Sequence, residues 1–388
     1  MVRVLLSLSA AAALAVLTGC GSLPSQGPLA ADVVAQVSQD ELARYLVVDV
    51  DERTAEIVRK RRGDTFQGRF GDGRPVPVQR IGVGDGVTVT IWEAAGGGLF
   101  SSPVVDRTGT GSRSVTIPDQ VVSNDGAITV PYAGRIRVVG MTPPQVEAQV
   151  VTQLAGKAIE PQALVTISRN VSNTATVTGE VTAGARVPLT VRGDRLLDII
   201  SAAGGIRAPV HETYINLLRG GRSVTVPMQA VLNNPAENIY VLPGDVITAV
   251  RQPQTYTAFG ATFKNAVISF ESIELTMEEA IAKAGGLLEL QADPDGVFLF
   301  RYEPVGLAKE LDPTRQVQPG AAVVPVVYRM SMRDARSYFH ARRFPMQNKD
   351  IIYVSSAPLT ELQKLLFLVG SVTGIVTSGS AVRATLRN

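Results

Sequence analysis

Cysteine and histidine are almost missing from this chain of 388 residues, which has one cysteine and two histidines. Cys20 therefore has no partner for an intramolecular disulfide. His211 and His340 are far apart in the sequence, and with a single cysteine they cannot assemble a zinc site of the usual ligands. We expect no metal and no other cofactor.

Aromatic residues are also scarce, at 5% of the chain, and the formal net charge is only +2. This charge balance gives no support to the binding of nucleic acid or another polyanion. The sequence has no G-x-S-x-G nucleophile elbow, and we predict that the protein is not an enzyme. A pair of glycosidase carboxylates stays open as an alternative. The 36 glycines and 23 prolines favour many short strands and turns.

The N-terminus has the form of a lipoprotein signal. Residues 4–16 are an apolar run that is too short to span a membrane. Residues 17–20, Leu-Thr-Gly-Cys, form a lipobox in which the thiol of Cys20 receives the lipid. We predict a signal peptide over residues 1–19 and a lipid-anchored tether over residues 20–43. A secretory signal with a chance cysteine is the alternative, and the absence of aspartate after the cysteine favours the outer membrane.

Residues 365–382 carry no charge and lie almost at the C-terminus. As a helix, these 18 residues would span ~27 Å, close to the hydrocarbon core of a bilayer. A helical wheel over residues 358–388 separates an apolar face from a polar face. The apolar face, predicted to contact the membrane, contains Leu362, Leu365, Leu368, Val369, Val372, Ile375 and Val376. The polar face, predicted to line a pore, contains Gln363, Lys364, Ser371, Gly374 and Ser378.

Three arrangements of this helix compete: packing on a soluble domain, lying flat in the membrane interface, and spanning the bilayer in a ring. A flat interfacial helix usually carries Lys or Arg along its polar face, and here only Lys364 is basic. A ring can bury the polar face against water, and Gly370 and Gly374 allow close helix contacts. We therefore favour the spanning helix.

Another pattern extends from residue 81 to residue 168. A glycine-rich turn with an aspartate leads into an alternating strand, a hairpin signal follows at residues 123–126, and a Thr-Pro pair begins a predicted helix over residues 142–154. No helix follows the glycine-rich turn, so a phosphate-binding loop is a poor explanation. The motif residues are Gly84, Asp85, Trp92, Asp125, Gly126, Pro131 and Gly134. In order and spacing they resemble the polysaccharide export domain of outer-membrane polysaccharide export proteins, the Wza-like translocons of capsule and exopolysaccharide.

An internal repeat with an offset of 81 residues occupies the second half of the chain. Gly179 ends a strand in the first copy, as Gly260 does in the second. A Gly-Gly pair, at residues 204–205 and 285–286, ends the amphipathic helix that follows. Each copy closes with an aspartate before a strand, but the second lacks a Pro-Gly turn and has extra chain around residues 303–325. The copies resemble SLBB domains, small β-grasp-like units named for soluble-ligand binding.

The resemblance implies an α+β, multidomain chain. It implies a polysaccharide export domain over residues 44–172, SLBB domains over residues 173–253 and 254–357, and an amphipathic membrane-spanning helix over residues 358–388. Such chains form a homo-oligomeric ring, an octamer by family analogy, whose α-helical barrel exports capsular or extracellular polysaccharide across the outer membrane. An inner-membrane polysaccharide co-polymerase or a partner linked to an ABC transporter would meet the export domain.

Two other functions stay open: a periplasmic polysaccharide-binding lipoprotein without a pore, and a glycan-processing enzyme. β-Grasp units can bind small ligands, although in a ring we favour the repeats as packing blocks between subunits. A basic cluster is formed by Arg59, Lys60, Arg61 and Arg62. We interpret it as a solvated face, with contact to anionic lipid or acidic glycan as the alternative.

Overall fold

The computed structural model describes residues 27–35, 45–61, 63–75, 78–94, 99, 113–272, 274–314 and 320–358. By their contacts, residues 63–252 form one unit, and the chain on both sides of them forms the other. The first elements along the chain are α1 (Ala30–Ala35), β1 (Leu46–Asp49), α2 (Glu52–Arg59) and α3 (Phe66–Phe70).

The export region has a three-stranded antiparallel sheet, a separate hairpin and one long helix. Its elements are β2 (Gly86–Glu93), β3 (Arg113–Val121), β4 (Ala127–Val130), β5 (Gly134–Arg137), α4 (Pro143–Leu154) and β6 (Gln162–Arg169). Strand β2 lies between β3 and β6, and β4 pairs with β5. Helix α4 begins where the Thr142 N–H donates to the Gln145 side chain (2.9 Å), and it buries Val146, Val150 and Leu154 as the sequence predicts.

The turn at residues 123–126 joins β3 to β4, which lie in different sheets. The prediction of a hairpin at that turn is therefore wrong, and the hairpin is the following one, β4–β5. The sequence signal for a tight turn was correct, but turn residues alone do not determine whether the flanking strands pair.

The first repeat is a five-stranded sheet with a helix on its buried face. Its elements are β7 (Thr174–Gly179), β8 (Ala185–Pro188), α5 (Leu196–Ala202), β9 (Thr213–Arg219), β10 (Arg222–Pro227), α6 (Met228–Asn233) and β11 (Val246–Arg251). The strand order is β10-β9-β11-β7-β8. Phe66 of α3 belongs to the core of this repeat, and its N–H donates to the buried Glu237 carboxylate at 2.6 Å.

The second repeat has the same strand order, with one strand added. Its elements are β12 (Thr255–Gly260), β13 (Ala266–Ser269), α7 (Met277–Lys283), β14 (Ala292–Pro304), α8 (Val305–Leu311), β15 (Val323–Met330), α9 (Ala335–Arg343) and β16 (Ile351–Ser356). The sheet runs β1-β15-β14-β16-β12-β13, and β1 is parallel to β15. Helix α8 lies in the connection from β14 to β15, so the extra chain predicted around residues 303–325 is present.

The N-terminal boundary of the predicted export domain is wrong. The sequence assigns residues 44–62 to that domain, but β1 pairs with β15 of the second repeat, Leu46 opposite Val326. The predicted tether also needs correction, because α1 packs Val33 against Phe298 and Tyr353 of the same repeat. Both pairings join segments that are far apart in sequence, so neither leaves a local sequence signal.

The landmarks of the repeat are backbone requirements. Gly179 and Gly260 have φ of +91° and +88°, and a Cβ on either would overlap the carbonyl oxygen of Ala249 or Val354. Gly244 has φ of +84° in the turn before β11, and Lys349 takes φ of +70° in the equivalent turn before β16. The second repeat therefore keeps the left-handed residue of this turn although it lacks the Pro-Gly pair.

None of the helices in the described ranges is long and apolar enough to cross a membrane. The predicted helix over residues 358–388 lies outside those ranges, apart from its first residue, Pro358.

Candidate functional site

Asp85 closes the glycine-rich turn of the export motif from inside the domain. Its carboxylate, 1% exposed, accepts backbone N–H bonds from Gly82, Val171 and Ser172 at 2.8 Å each, and the Ser172 hydroxyl donates at 2.7 Å. Burial raises the pKa of Asp85, but these hydrogen bonds outweigh it and hold the pKa below its ordinary value. Gly84 provides the left-handed backbone of the turn, with φ of +87°. Asp85 thus ties the start of β2 to the chain after β6.

Asp125 and Gly126 form a neighbouring turn. The Gly126 carbonyl accepts from the N–H groups of Val138 (2.8 Å) and Val139 (3.0 Å), and Gly126 has φ of +77°. Asp125 is exposed and forms an ion pair with Arg135. A hydrogen bond from a serine hydroxyl, and then the Arg135 charge, hold the pKa of Asp125 below its usual range. This turn fastens the start of the β4–β5 hairpin.

The remaining motif residues lie at strand ends. Trp92, half-buried, is near the far end of β2, opposite Gln162 of β6. Pro131 and Gly134 flank the hairpin turn, in which Tyr132 takes φ of +63° and Gly134 takes φ of +80°. The seven predicted motif residues therefore build turns and strand ends, and the first two turns lie side by side while the others lie away from them.

Each repeat also has an arginine–aspartate pair that the sequence did not reveal, fully buried in the second repeat and partly buried in the first. In the first repeat, Arg219 Nε and Nη2 donate to the two carboxylate oxygens of Asp245 at 2.9 and 2.6 Å. In the second repeat, Arg301 donates in the same way to Asp350 at 2.8 and 2.5 Å. Bidentate charged pairs of this geometry are strong and directional. The arginines differ by 82 positions and the aspartates by 105, so a search at an offset of 81 does not find them.

In the second repeat the pair is extended into a buried network. Glu303, fully buried, accepts from the Tyr328 hydroxyl (3.0 Å), lies 3.4 Å from Arg301 Nη1 and forms an ion pair with Arg61 (3.0 Å). Burial alone would lower the pKa of Arg301, but the neighbouring carboxylates of Asp350 and Glu303 raise it above its ordinary value. Two carboxylates and two guanidinium groups thus balance their charges inside this repeat.

The basic cluster is partly explained by these contacts. Lys60 pairs with Glu56 one helical turn earlier (2.7 Å), and Arg61 reaches Glu303. Arg62 lies outside the described residues. Neither Lys60 nor Arg61 is therefore a free cation, and Arg61 has a structural partner inside the second repeat.

A cavity of about 750 Å³ lies beside the second repeat's sheet, on the face opposite its main core. Phe259 and Tyr302 line it and are 48% and 70% exposed. Arg61, which is paired with Glu303, and Lys349 also line this cavity. Aromatic rings next to a few polar groups suit a ligand that has both apolar and polar faces.

Several predicted site residues lie outside the described residues. They are Cys20, the membrane-facing set Leu362, Leu365, Leu368, Val369, Val372, Ile375 and Val376, and the pore-lining set Gln363, Lys364, Ser371, Gly374 and Ser378. Within the described ranges, no group of three His, Cys, Asp or Glu residues could hold a metal ion.

Three parts of the chain match known domain families. Residues 74–168 match the family described as polysaccharide biosynthesis/export protein. Residues 174–228 and 254–354 each match the SLBB domain. The order of these domains is the order that the motif and the repeat predict.

Similarity to curated proteins extends over nearly the whole chain. The capsule polysaccharide export outer membrane protein CtrA of Neisseria meningitidis serogroup B is 37% identical over 374 residues, covering 94% of this chain and 93% of that protein. The capsule polysaccharide export protein BexD of Haemophilus influenzae is 37% identical over 93% of this chain and 94% of its own. The Vi polysaccharide export protein VexA/TviF of Salmonella typhi is 27% identical over 73% of this chain and 75% of its own.

An export domain followed by two SLBB domains defines a class of polysaccharide export proteins. This chain belongs to the family of outer-membrane polysaccharide export proteins.

Proposed function

We propose that the protein is the subunit of an outer-membrane channel that exports a capsular or extracellular polysaccharide from the periplasm to the cell surface. The observation that carries this proposal is 37% identity to two capsule export proteins over more than nine-tenths of both chains. The family's domain order in this chain supports it. The named relatives are export proteins, which favours transport over catalysis.

The pore in this proposal is a homo-oligomeric ring, an octamer by family analogy, in which the helix over residues 358–388 spans the outer membrane. Its apolar face contacts lipid, and its polar face, including Ser371 and Ser378, lines the lumen. A wall of small polar groups suits a sliding polymer, because tight binding sites would stall it. The lipid on Cys20 adds a second anchor, since each buried CH₂ of an acyl chain contributes ~0.8 kcal/mol. An inner-membrane co-polymerase or a partner linked to an ABC transporter delivers the glycan to the export domain.

Cysteine accessibility on intact cells tests the orientation of the last helix. In the variant Thr385→Cys, a membrane-impermeant maleimide should label the protein on intact cells, because Cys20 is the chain's only other cysteine and is acylated. A matched control, Arg336→Cys, places a thiol on an exposed position of α9 and should be labelled only after the outer membrane is opened. If both variants need permeabilised cells, the C-terminus is periplasmic and the pore is refuted.

The aromatic cavity favours a second candidate, a periplasmic polysaccharide-binding lipoprotein without a pore. Phe259 and Tyr302 could stack against sugar rings, and Lys349 could attract an acidic glycan. Deleting residues 358–388 separates the two functions. A binding protein would keep its glycan affinity, whereas a channel subunit would lose membrane insertion and export.

A further inference from the structure

The second repeat ends in an apolar tip that has no counterpart in the first. The tip consists of two loops, residues 262–265 and 286–291, which lie together because Thr262 bridges to Leu287 and the Leu288 N–H donates to the Ala261 carbonyl at 3.0 Å. Phe263 is 67% exposed and Leu290 is 87% exposed. Large apolar side chains of this exposure, on two loops that are bonded to each other, indicate a contact surface.

The tip is held in a defined conformation. The Lys264 N–H donates to the Ala284 carbonyl at 2.9 Å, and the Gly286 N–H donates to the Ile281 carbonyl at 3.0 Å. Gly285 has φ of +85°, and a Cβ there would lie 2.6 Å from the Cβ of Phe263. Glycine at this position therefore lets the Phe263 loop rest on the end of α7, and the phenyl ring is presented to the outside by a fixed backbone.

The first repeat has no large apolar side chain at the same places. At an offset of 81, Phe263 corresponds to Thr182, Leu288 to Arg207 and Leu290 to Pro209. Arg207 is paired with Glu180 at 3.0 Å, which is the arrangement of a solvated surface. The fold thus tolerates a polar tip, and the apolar residues of the second repeat need a separate explanation.

The position of the tip indicates what it contacts. The Ala357 N–H donates to the Gln291 carbonyl at 2.8 Å, so the chain leaves the sheet at this tip. Only seven residues separate Ala357 from the uncharged segment 365–382. At the same end of the sheet, a Cβ on Gly296 would lie 3.1 Å from Ala30 in α1. Nine residues lie between Cys20 and Ala30, so the chain from Cys20 to Ala30 reaches at most ~35 Å.

We propose that this tip inserts Phe263 and Leu290 into the lipid surface of the periplasmic leaflet, around the root of the C-terminal helix. The proposal rests on the membrane anchor of the proposed function. Apolar side chains enter the boundary between headgroups and acyl chains, and Lys264 in the same loop can meet a phosphate. Glu289 is the opposing charge of the tip, and it is exposed at the loop where it can stay in water.

Quenching by brominated lipids tests the insertion in the full chain. The chain has one tryptophan, so Trp92→Phe provides a background without tryptophan. In that background, Phe263→Trp, Thr182→Trp and Leu368→Trp place a probe in the tip, in the equivalent loop of the first repeat and on the predicted lipid face of the C-terminal helix. Each protein is reconstituted in vesicles of phosphatidylethanolamine and phosphatidylglycerol whose acyl chains carry bromine.

We expect Phe263→Trp and Leu368→Trp to lose most of their emission in brominated vesicles, and Thr182→Trp to keep it. Quenching at position 368 without quenching at position 263 overturns the tip insertion and leaves the membrane helix intact. An emission at position 263 that is blue-shifted but unquenched overturns it too, because the tip then contacts another copy of the chain. If neither position 263 nor position 368 is quenched, the membrane anchor itself fails, and the insertion fails with it.

Discussion

The two repeats have the same strand order, but they differ on the sheet face that points away from the main core. That face is polar in the first repeat and apolar in the second. In the first repeat, Thr178, Thr248 and Asn216 form a row across three strands on the face away from the core. In the second repeat, the equivalent row is Phe259, Tyr353 and Phe298. One fold therefore supports a sheet whose second face is polar and a sheet whose second face is apolar and partly covered.

The difference is visible in the strand patterns. Strand β9 alternates buried and less buried residues, as expected when one face meets solvent. Residues 297–299 of β14 and 352–355 of β16 are buried without interruption. A continuous apolar run in a sheet requires a cover on each face, and α1 provides part of the second cover. Helix α1, which lies within the predicted tether, is thus a structural element of the second repeat.

The largest contrast between the repeats should come from the arginine pairs. Arg301→Ala should lower the free energy of unfolding by about 3–5 kcal/mol, because it leaves Asp350 buried without its cation and Glu303 with Arg61 alone. Arg219→Ala should be milder, since that side chain is 16% exposed and Arg301 is 3% exposed. Urea denaturation measures both. Arg333→Ala, which breaks a surface pair, is the control and should stay within about 0.5 kcal/mol. Equal losses in all three variants would contradict the buried network.

Alanine substitutions of the two strand glycines should destabilise the two repeats equally, because the glycines have the same surroundings in both. Gly179→Ala and Gly260→Ala should each destabilise by more than about 2 kcal/mol, since a left-handed backbone and an overlap with a carbonyl oxygen act together. Gly205→Ala and Gly286→Ala have similar φ values but open space, so they should lose only about 1 kcal/mol. Thermal denaturation compares the four variants, and a harmless Gly260→Ala would show that the second repeat is looser than the first.

Asp85 is a turn aspartate that has no bidentate arginine partner, unlike the aspartates of the two repeats. Its pKa is depressed in the folded protein, so its stabilisation is complete above the unfolded-state pKa of about 3.9 and is lost as the pH falls through the folded pKa. Asp85→Asn should lower the unfolding free energy by about 1–3 kcal/mol at neutral pH. The gap between the wild type and the variant should shrink below pH ~4. Denaturation curves across this pH range measure it, and a gap independent of pH would refute the role of the charge.

The smallest expected effect concerns the cover of the second face. Val33→Ala should lower the unfolding free energy by about 1–2 kcal/mol, because it removes two buried methyl groups from the contact with Phe298 and Tyr353. Val34→Ala is the matched control. The Val34 side chain is 36% exposed, so its truncation should change the unfolding free energy little. Limited proteolysis in the α1 region reports the same contact. Similar behaviour of the two variants would mean that α1 does not depend on Val33 for its docking.

The sequence predicts the fold best where the pattern is local. The Gly-Gly ends of α5 and α7, the capped helix after Thr142 and the insertion between β14 and β15 follow from glycine, proline and hydrophobic spacing. The pairing of β1 with β15 and the position of Phe66 depend on contacts between distant segments, which spacing cannot reveal. The left-handed backbone at Lys349 could not be predicted from the sequence, because lysine rarely adopts that conformation.

The candidate site was predictable only in part for the same reason. Asp85, Asp125 and Gly126 could be predicted because Asp and Gly are typical turn residues. In the structure they stabilise turns. The Arg219 and Arg301 pairs were missed because each arginine looks like an ordinary strand residue until its aspartate is placed beside it. The continuous apolar run in β14 was a usable signal, since it requires a cover on the second face of the sheet, and α1 supplies part of that cover.

Strand β1 makes folding of the second repeat a late event. Its partner residues Asp49 and Arg329 are 280 positions apart, and closing a loop of that length costs about 5 kcal/mol of chain entropy. Long-range pairing of this kind slows folding, whereas the unit formed by residues 63–252 has all of its strands within one continuous stretch. During synthesis or secretion, β1 therefore stays unpaired until β15 has been synthesised or translocated. A nascent chain that ends before β15 cannot complete the sheet, so β1 is synthesised early but pairs late.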